Sequence, residues 1–331
     1  MSDNQNQHFV PRSHLGLFSE NGTRIWVYDK PTGKTFSNSV ASIASENNFN
    51  ELSTTRDPNS ECYRFAEQQF AEIEGSTIGL IRDLSERIAN VPYLSPEVII
   101  SDKERSSFAV YVLLQLLRTK EAREALRERM TKLATAVLHE VAPKPAPLGI
   151  DIEKWSAVPT EDILRAHHLR LTFARAAEKA PKLFGGIWVF GSNKTELPLW
   201  TSDHPVTEHI SRPPSGVPAI VGISKLCSHI CFPLSPAANL LILDRDGFAP
   251  TSILDGTVVE LDLDQVIAYN VMQVEQSYRQ VYSNNGNFFA LAHQVCEGNP
   301  SLRILNKERF TDSSLKTAAF VEKVLSNLEG N

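Results

Sequence analysis

The chain has 331 residues, 42% hydrophobic and 22% charged, with 19 Pro and 16 Gly, a globular composition that excludes collagenous, coiled-coil and disordered classes. A formal net charge of −6 gives no global attraction to nucleic acid or anionic membrane, which needs a surplus of Lys and Arg. A membrane span of about 18 or more uncharged apolar residues is absent: the longest candidate, Phe108 to Leu117, contains Gln115 and stops at Arg118.

The polar start has neither the basic residues nor the apolar run of a signal peptide, so residues 1–7 read as a disordered tail. The cysteines Cys62, Cys227, Cys231 and Cys296 are scattered, which fits free thiols in a reducing, cytoplasmic setting. Ile25-Trp26-Val27-Tyr28 and Thr35 to Val40 flank Pro31 and Gly33 at turn positions, and predict a β-hairpin. Arg64 to Ala89 carries apolar residues at helical spacing, interrupted by Gly75 and Gly79, and predicts a kinked or broken helix. Glu104 to Arg118 predicts an apolar helix and Glu121 to Glu140 an amphipathic one.

Pro143, Pro145 and Pro147 with Gly149 end the helical run, and 143–149 reads as an internal loop of a single domain spanning 1–331. Thr160 caps a further helix running to about Ala180. From Gly185 the pattern changes to short apolar runs separated by Pro, Gly, Asn and Asp: Ile187–Phe190, Leu199–Thr201, Ile230–Phe232, Leu240–Leu243 and Val258–Leu261. They predict a second, mostly antiparallel sheet. Helical periodicity resumes near Leu263, with a break at Asn284 to Asn287. The fold class is therefore α+β: an amino-terminal hairpin, a helical middle, a second sheet and carboxy-terminal helices.

Few residues carry chemistry. His8-Phe9-Val10-Pro11-Arg12-Ser13 resembles the opening of a His-Asn-His nuclease motif, but the remaining elements are missing, and a His pinning the amino-terminal segment by hydrogen bonds is the commoner outcome. Gln115 and Arg118 share one face of an apolar helix. A buried guanidinium there requires a carboxylate, such as Glu72 or Glu74, or a bound anion. Asp203 and His204 lie in Thr201-Ser202-Asp203-His204-Pro205 at a strand end, suited either to acid/base or metal chemistry or to ordinary turn bonding. Cys227-Ser228-His229-Ile230-Cys231 has no distant partner pair for a zinc site and reads as buried thiols. His167 and His168 are adjacent on a helix, point about 100° apart and read as surface or helix-packing residues. Glycine-rich phosphate loops, nucleophile elbows and His-Glu-x-x-His are all absent.

In order, His8-Phe9-Val10-Pro11, Ile25–Asp29, Gln115-Leu116-Leu117-Arg118-Thr119, Thr201–Val206 and Phe232-Pro233-Leu234-Ser235-Pro236 resemble a mainly bacterial family of domain-of-unknown-function proteins. Its members begin His-Tyr/Phe-Val-Pro and carry a later Thr-Ser-Asp-Asn-Pro-Val; this chain departs at His204, where that pattern has Asn. The resemblance implies one domain and supplies no activity. The residues themselves suggest a metal-assisted or acid/base hydrolase of a phosphate-containing substrate, nucleic acid among the candidates. His8, Asp203 and His204 would be catalytic, Arg12, Gln115 and Arg118 would hold the substrate, and a divalent metal is a candidate cofactor without assigned ligands. The alternative is a non-catalytic binding or regulatory protein in which the same residues form a buried polar network.

Overall fold

The computed structural model describes residues 6–51, 61–91, 97–142, 154–210 and 228–305; residues 1–5 and the proline-rich loop at 143–149 lie outside them. Strand β1 (Asn6–His8) opens this part of the chain and α1 (Arg12–Leu17) follows Pro11. Strands β2 (Arg24–Asp29) and β3 (Lys34–Ser39) form the expected hairpin, with Gly33 at φ +66° in the turn, a conformation that favours glycine. β4 (Ser45–Asn47) returns to pair with β1. Asn6 and Gln7 are thus ordered, contrary to the disordered tail expected over residues 1–7. The cause lies in the Gln7 side chain, which donates to Glu51 Oε1 at 2.9 Å and accepts the Asn50 N–H at 2.6 Å.

Helix α2 runs unbroken from Glu61 to Asn90, which corrects the expected break. Gly75 and Gly79 each weaken a helix by about 1 kcal/mol relative to Ala, but Phe70, Ile81, Leu84 and Ile88 bury one face of it in the main core and keep it whole. Ser101 starts α3 (Asp102–Leu117) with a capping box, accepting the Glu104 N–H while the Glu104 carboxylate takes the Ser101 N–H. From Phe108 to Leu116 nearly every side chain of α3 is buried. Arg118 closes it, and Thr119 at once caps α4 (Lys120–Val141) by accepting the Ala122 N–H. Thr160 caps α5 (Glu161–Phe184), which packs along α3.

The second half builds two sheets. β5 (Ile187–Asn193), β7 (Thr207–Ile210), β8 (Ser228–Ser235), β9 (Ala238–Leu243) and β10 (Val258–Leu261) form a five-stranded sheet in the order β10-β5-β9-β8-β7, with the β10–β5 pair parallel and the others antiparallel. β6 (Thr201–Ser202) does not join it, although the sequence places Leu199–Thr201 there. Instead β6 pairs with β11 (Gln280–Ser283), which pairs with β2, giving a second sheet in the order β3-β2-β11-β6. Residues 280–283 were expected to be helical. Helix α6 (Leu263–Gln276) ends before them, and their backbone N–H and C=O groups are satisfied across strands rather than within a helix. Helix α7 (Ala290–Gly298) follows.

The architecture is α+β. Helices α2 and α3 pack on one face of the five-stranded sheet, where Phe108, Tyr111, Trp188, Phe190 and Phe232 are buried together, and α5 lies along α3. The four-stranded sheet packs Ile25, Val27 and Tyr282 against Phe9, Leu15 and Phe49, so the amino-terminal segment forms a small core of its own beside the end of α3. Both glycines of α2 are exposed and an added Cβ would meet nothing within 4 Å. Gly75→Ala and Gly79→Ala should therefore each raise the unfolding free energy by about 0.5–1 kcal/mol in urea titrations; destabilisation by either would show that the helix needs glycine there.

Candidate functional site

The carboxy-terminal end of α3 meets the amino-terminal segment edge-on, and the Phe9 carbonyl is the point of contact. Gln115 Nε2 donates to it at 3.2 Å and Arg118 Nε at 3.1 Å. The same guanidinium donates through NH1 to Glu74 Oε1 at 2.6 Å and lies 4.8 Å over the Phe70 ring. Arg118 is 2% exposed, so these three interactions satisfy charge and donors that burial would otherwise leave stranded. Its NH2 and the Gln115 Oε1 are buried without a hydrogen-bond partner among the described residues.

His8 sits beside this clamp at the end of β1, with Nε2 3.3 Å from the Val40 carbonyl. Because that oxygen only accepts, Nε2 carries the proton and Nδ1 keeps its lone pair. Burial lowers the His8 pKa below its ordinary value, the Val40 carbonyl opposes this, and the charges of Arg12 and Arg118 lower it further. Arg12 itself is exposed.

The other two expected catalytic residues are held differently. The Asp203 carboxylate accepts three backbone N–H bonds, from Tyr278, Arg279 and Gln280, each at 2.8 Å. It thereby ties the turn between α6 and β11 to the end of β6. Burial pushes its pKa up to about 6 against the pull of the Lys30 ammonium and those three donors. Lys30 is fully buried and donates to the Val274 and Ser277 carbonyls at 2.8 and 2.6 Å, where an ammonium suits the end of α6. His204 turns the other way: its Nδ1 lies 2.7 Å from Thr119 Oγ1, and its own N–H donates to Ser202 Oγ at 3.1 Å.

The structure thus brings Gln115 and Arg118 together on the Phe9 carbonyl with His8 next to it in the chain, leaves Arg12 exposed and acting on His8 only through its charge, and joins His204 to the same helix end through Thr119. The Asp203 carboxylate is directed instead to the α6–β11 turn. Sequence reading missed several participants. Thr119 signals itself only as a helix cap, yet it also holds His204. His14 is fully buried, stacked on Phe232 at 5.1 Å with Nε2 3.3 Å from Thr201 Oγ1; burial and the Arg118 charge drop its pKa to about 3. Arg123 stacks on Phe49 at 3.5 Å and donates to His168 Nδ1 at 3.1 and 3.2 Å, while His168 Nε2 donates to the Leu117 carbonyl. His168 is thus a helix-packing residue, and burial pushes the Arg123 pKa down to about 9.

Among the described residues no group of three or more His, Cys, Asp or Glu is arranged to hold a metal ion, and no helix is long and apolar enough to cross a membrane. Cys231 and Cys296 are buried free thiols; the Cys62 side chain and Cys227 lie outside the described residues. Two surface pockets stand apart from the α3 end, one beside Gly185, Asp244 and Arg245 and one beside Asp83, Arg87 and Asn90.

A family profile matches residues 6–287, from β1 through β11, and so covers every candidate site residue. The chain belongs to that family, described as protein of unknown function, DUF4238. Comparison of this DUF4238 protein with curated proteins and with solved structures gave no match.

Two measurements check this geometry. Arg118→Ala strands Glu74 and strips a donor from the Phe9 carbonyl, so it should cost about 3 kcal/mol of stability, read from urea unfolding; a cost below about 0.5 kcal/mol, typical of surface positions, would show that the clamp contributes little. Asp203 is more readily protonated folded, near pH 6, than unfolded, near its ordinary 3.8. Its contribution is full below about pH 4 and is lost as pH rises through 6. His14 and His168 act in the opposite sense over an overlapping range, so the informative quantity is wild type minus Asp203→Asn. That difference should shrink from pH 4 to 6, and a constant difference would place the titration elsewhere.

Proposed function

We propose that this DUF4238 protein is an acid/base hydrolase of a phosphate-containing substrate, with His8 as the base and Arg12 as the exposed anion holder. The observation that supports this most is the His8 imidazole. It is neutral near pH 7, has its Nε2 proton committed to the Val40 carbonyl, and keeps the Nδ1 lone pair for a proton from water. Two guanidinium groups act on the same ring, and a planar fork of donors suits phosphate oxygens. In this reading Gln115 and Arg118 fix the peptide that follows His8, while His204 and Asp203 hold the strand end against α3 and the α6–β11 turn. Nucleic acid is one substrate class within the proposal, and a divalent ion one candidate participant.

A second reading is favoured by a separate observation: Asp203 accepts three backbone N–H bonds and Arg118 pairs with Glu74. Two of the six expected site residues thus have their charge compensated internally, as in a binding or regulatory protein whose polar seam is architectural.

The two part in one experiment. The full chain is assayed on phosphate monoesters, phosphodiesters, nucleotides and single-stranded and duplex nucleic acid, with chelator and with added magnesium or manganese. Under the hydrolase reading His8→Asn abolishes turnover, and Arg12→Ala raises KM at least tenfold without changing the melting temperature. The kcat/KM profile should also rise at a pH below the ordinary imidazole range. Binding without turnover supports the second reading, and turnover indifferent to both substitutions removes His8 and Arg12 from the chemistry.

A further inference from the structure

A different pair of histidines lies on the far edge of the five-stranded sheet. His209 on β7 and His229 on β8 are directly opposite in the antiparallel register, so both side chains stand on one face of the sheet. Their ring centroids are 5.0 Å apart with the planes inclined at 48°. His209 is exposed and His229 half-buried, with the His229 ring held edge-on by Phe248 at 6.2 Å.

We propose that His209 and His229 form a two-imidazole chelate for a divalent transition-metal ion of the zinc, nickel and copper class, with water filling the remaining positions. The spacing carries the inference. A metal–nitrogen bond of about 2.0–2.1 Å, with the nitrogen about 1.1 Å from the ring centre, puts the ion about 3.2 Å from each centroid. Two such rings then have centroids about 4.5 Å apart at a right angle and about 5.2 Å apart at the tetrahedral angle. The observed separation of 5.0 Å falls between these limits, so the two rings stand at the spacing that one shared ion requires. Imidazole is the ligand this group of metals shares.

The surroundings agree. Burial and the facing His209 ring bring the His229 pKa down to about 4, so it is already the neutral form that a metal needs. Cys231, two residues along β8, does not complete a three-ligand set: it is buried, hydrogen-bonded to Asn239, and its thiol is pushed up to about 12. The site is thus a cross-strand clip that fastens edge strand β7 to β8, and it uses none of the residues in the proposed hydrolytic site.

The test is calorimetric titration of the full chain, freed of any affinity tag, with zinc and with nickel chlorides. One equivalent should bind, and the melting temperature should rise with metal concentration. His209→Ala and His229→Gln should each weaken binding at least tenfold, while His167→Ala, at an exposed helical histidine, should leave it unchanged. His209 is exposed on an edge strand, so its variant keeps the test decisive if His229→Gln folds poorly. Absence of binding by the wild-type chain, wild-type affinity in His209→Ala, or loss confined to one folded variant of the pair would overturn the chelate.

Discussion

One buried guanidinium organises this fold. Arg118 ends α3, and a charge at that depth is tolerated only where its donors are used. The Phe9 carbonyl takes its Nε donor and Glu74 its NH1 donor and charge. Each partner is fixed in turn: Glu74 by α2, and Phe9 by the small core of Leu15, Phe18, Ile25 and Phe49. The amino-terminal segment with its own small core is thereby attached to the helical layer. The His8 imidazole inherits its position from that attachment.

A second polar anchor does the corresponding work at the other side of the four-stranded sheet. Asp203 gathers three successive N–H groups where α6 gives way to β11, and Lys30 occupies the carbonyl end of α6 from the opposite direction. These two ionised side chains, one from the hairpin and one from the end of β6, fix the turn that brings residue 280 into the sheet. Arg279 extends the link to Asp29 at 2.5 Å. The sheet is thus closed by charge and backbone bonds as much as by apolar contact.

How much of this was legible in the sequence follows from the range of each interaction. The hairpin, the apolar α3 and the acidic partner of Arg118 were readable because turn residues, helical spacing and an uncompensated charge are local signals. The ordered motifs likewise sufficed for the family. The continuity of α2 was not, because glycine spacing states a local cost while the opposing burial is tertiary. Strand β11 escaped for a similar reason: four residues without a flanking Gly or Pro look like the tail of α6 until Asp203 takes the N–H groups of Tyr278, Arg279 and Gln280 and turns the chain into the strand. In the candidate site, Gln115 and Arg118 announced themselves as polar breaks in an apolar helix. The link between Thr119 and His204 spans 85 residues of chain and left no trace in either segment alone.

The pairing of β2 with β11 has a consequence for synthesis. Asp29 meets Arg279 across 250 positions, so at a ribosomal rate of about 5–20 residues per second the hairpin waits roughly 13–50 s for the strand that completes its sheet. Throughout that interval the β2 edge, with Ile25, Val27 and Tyr28 on it, faces solvent with its ladder unpaired. Such an edge is a template for wrong partners. Nascent chains of this protein are therefore most exposed to intermolecular association before residue 283 leaves the ribosome, and a chaperone that shields the amino-terminal hairpin would matter more to its yield than one acting on the finished fold.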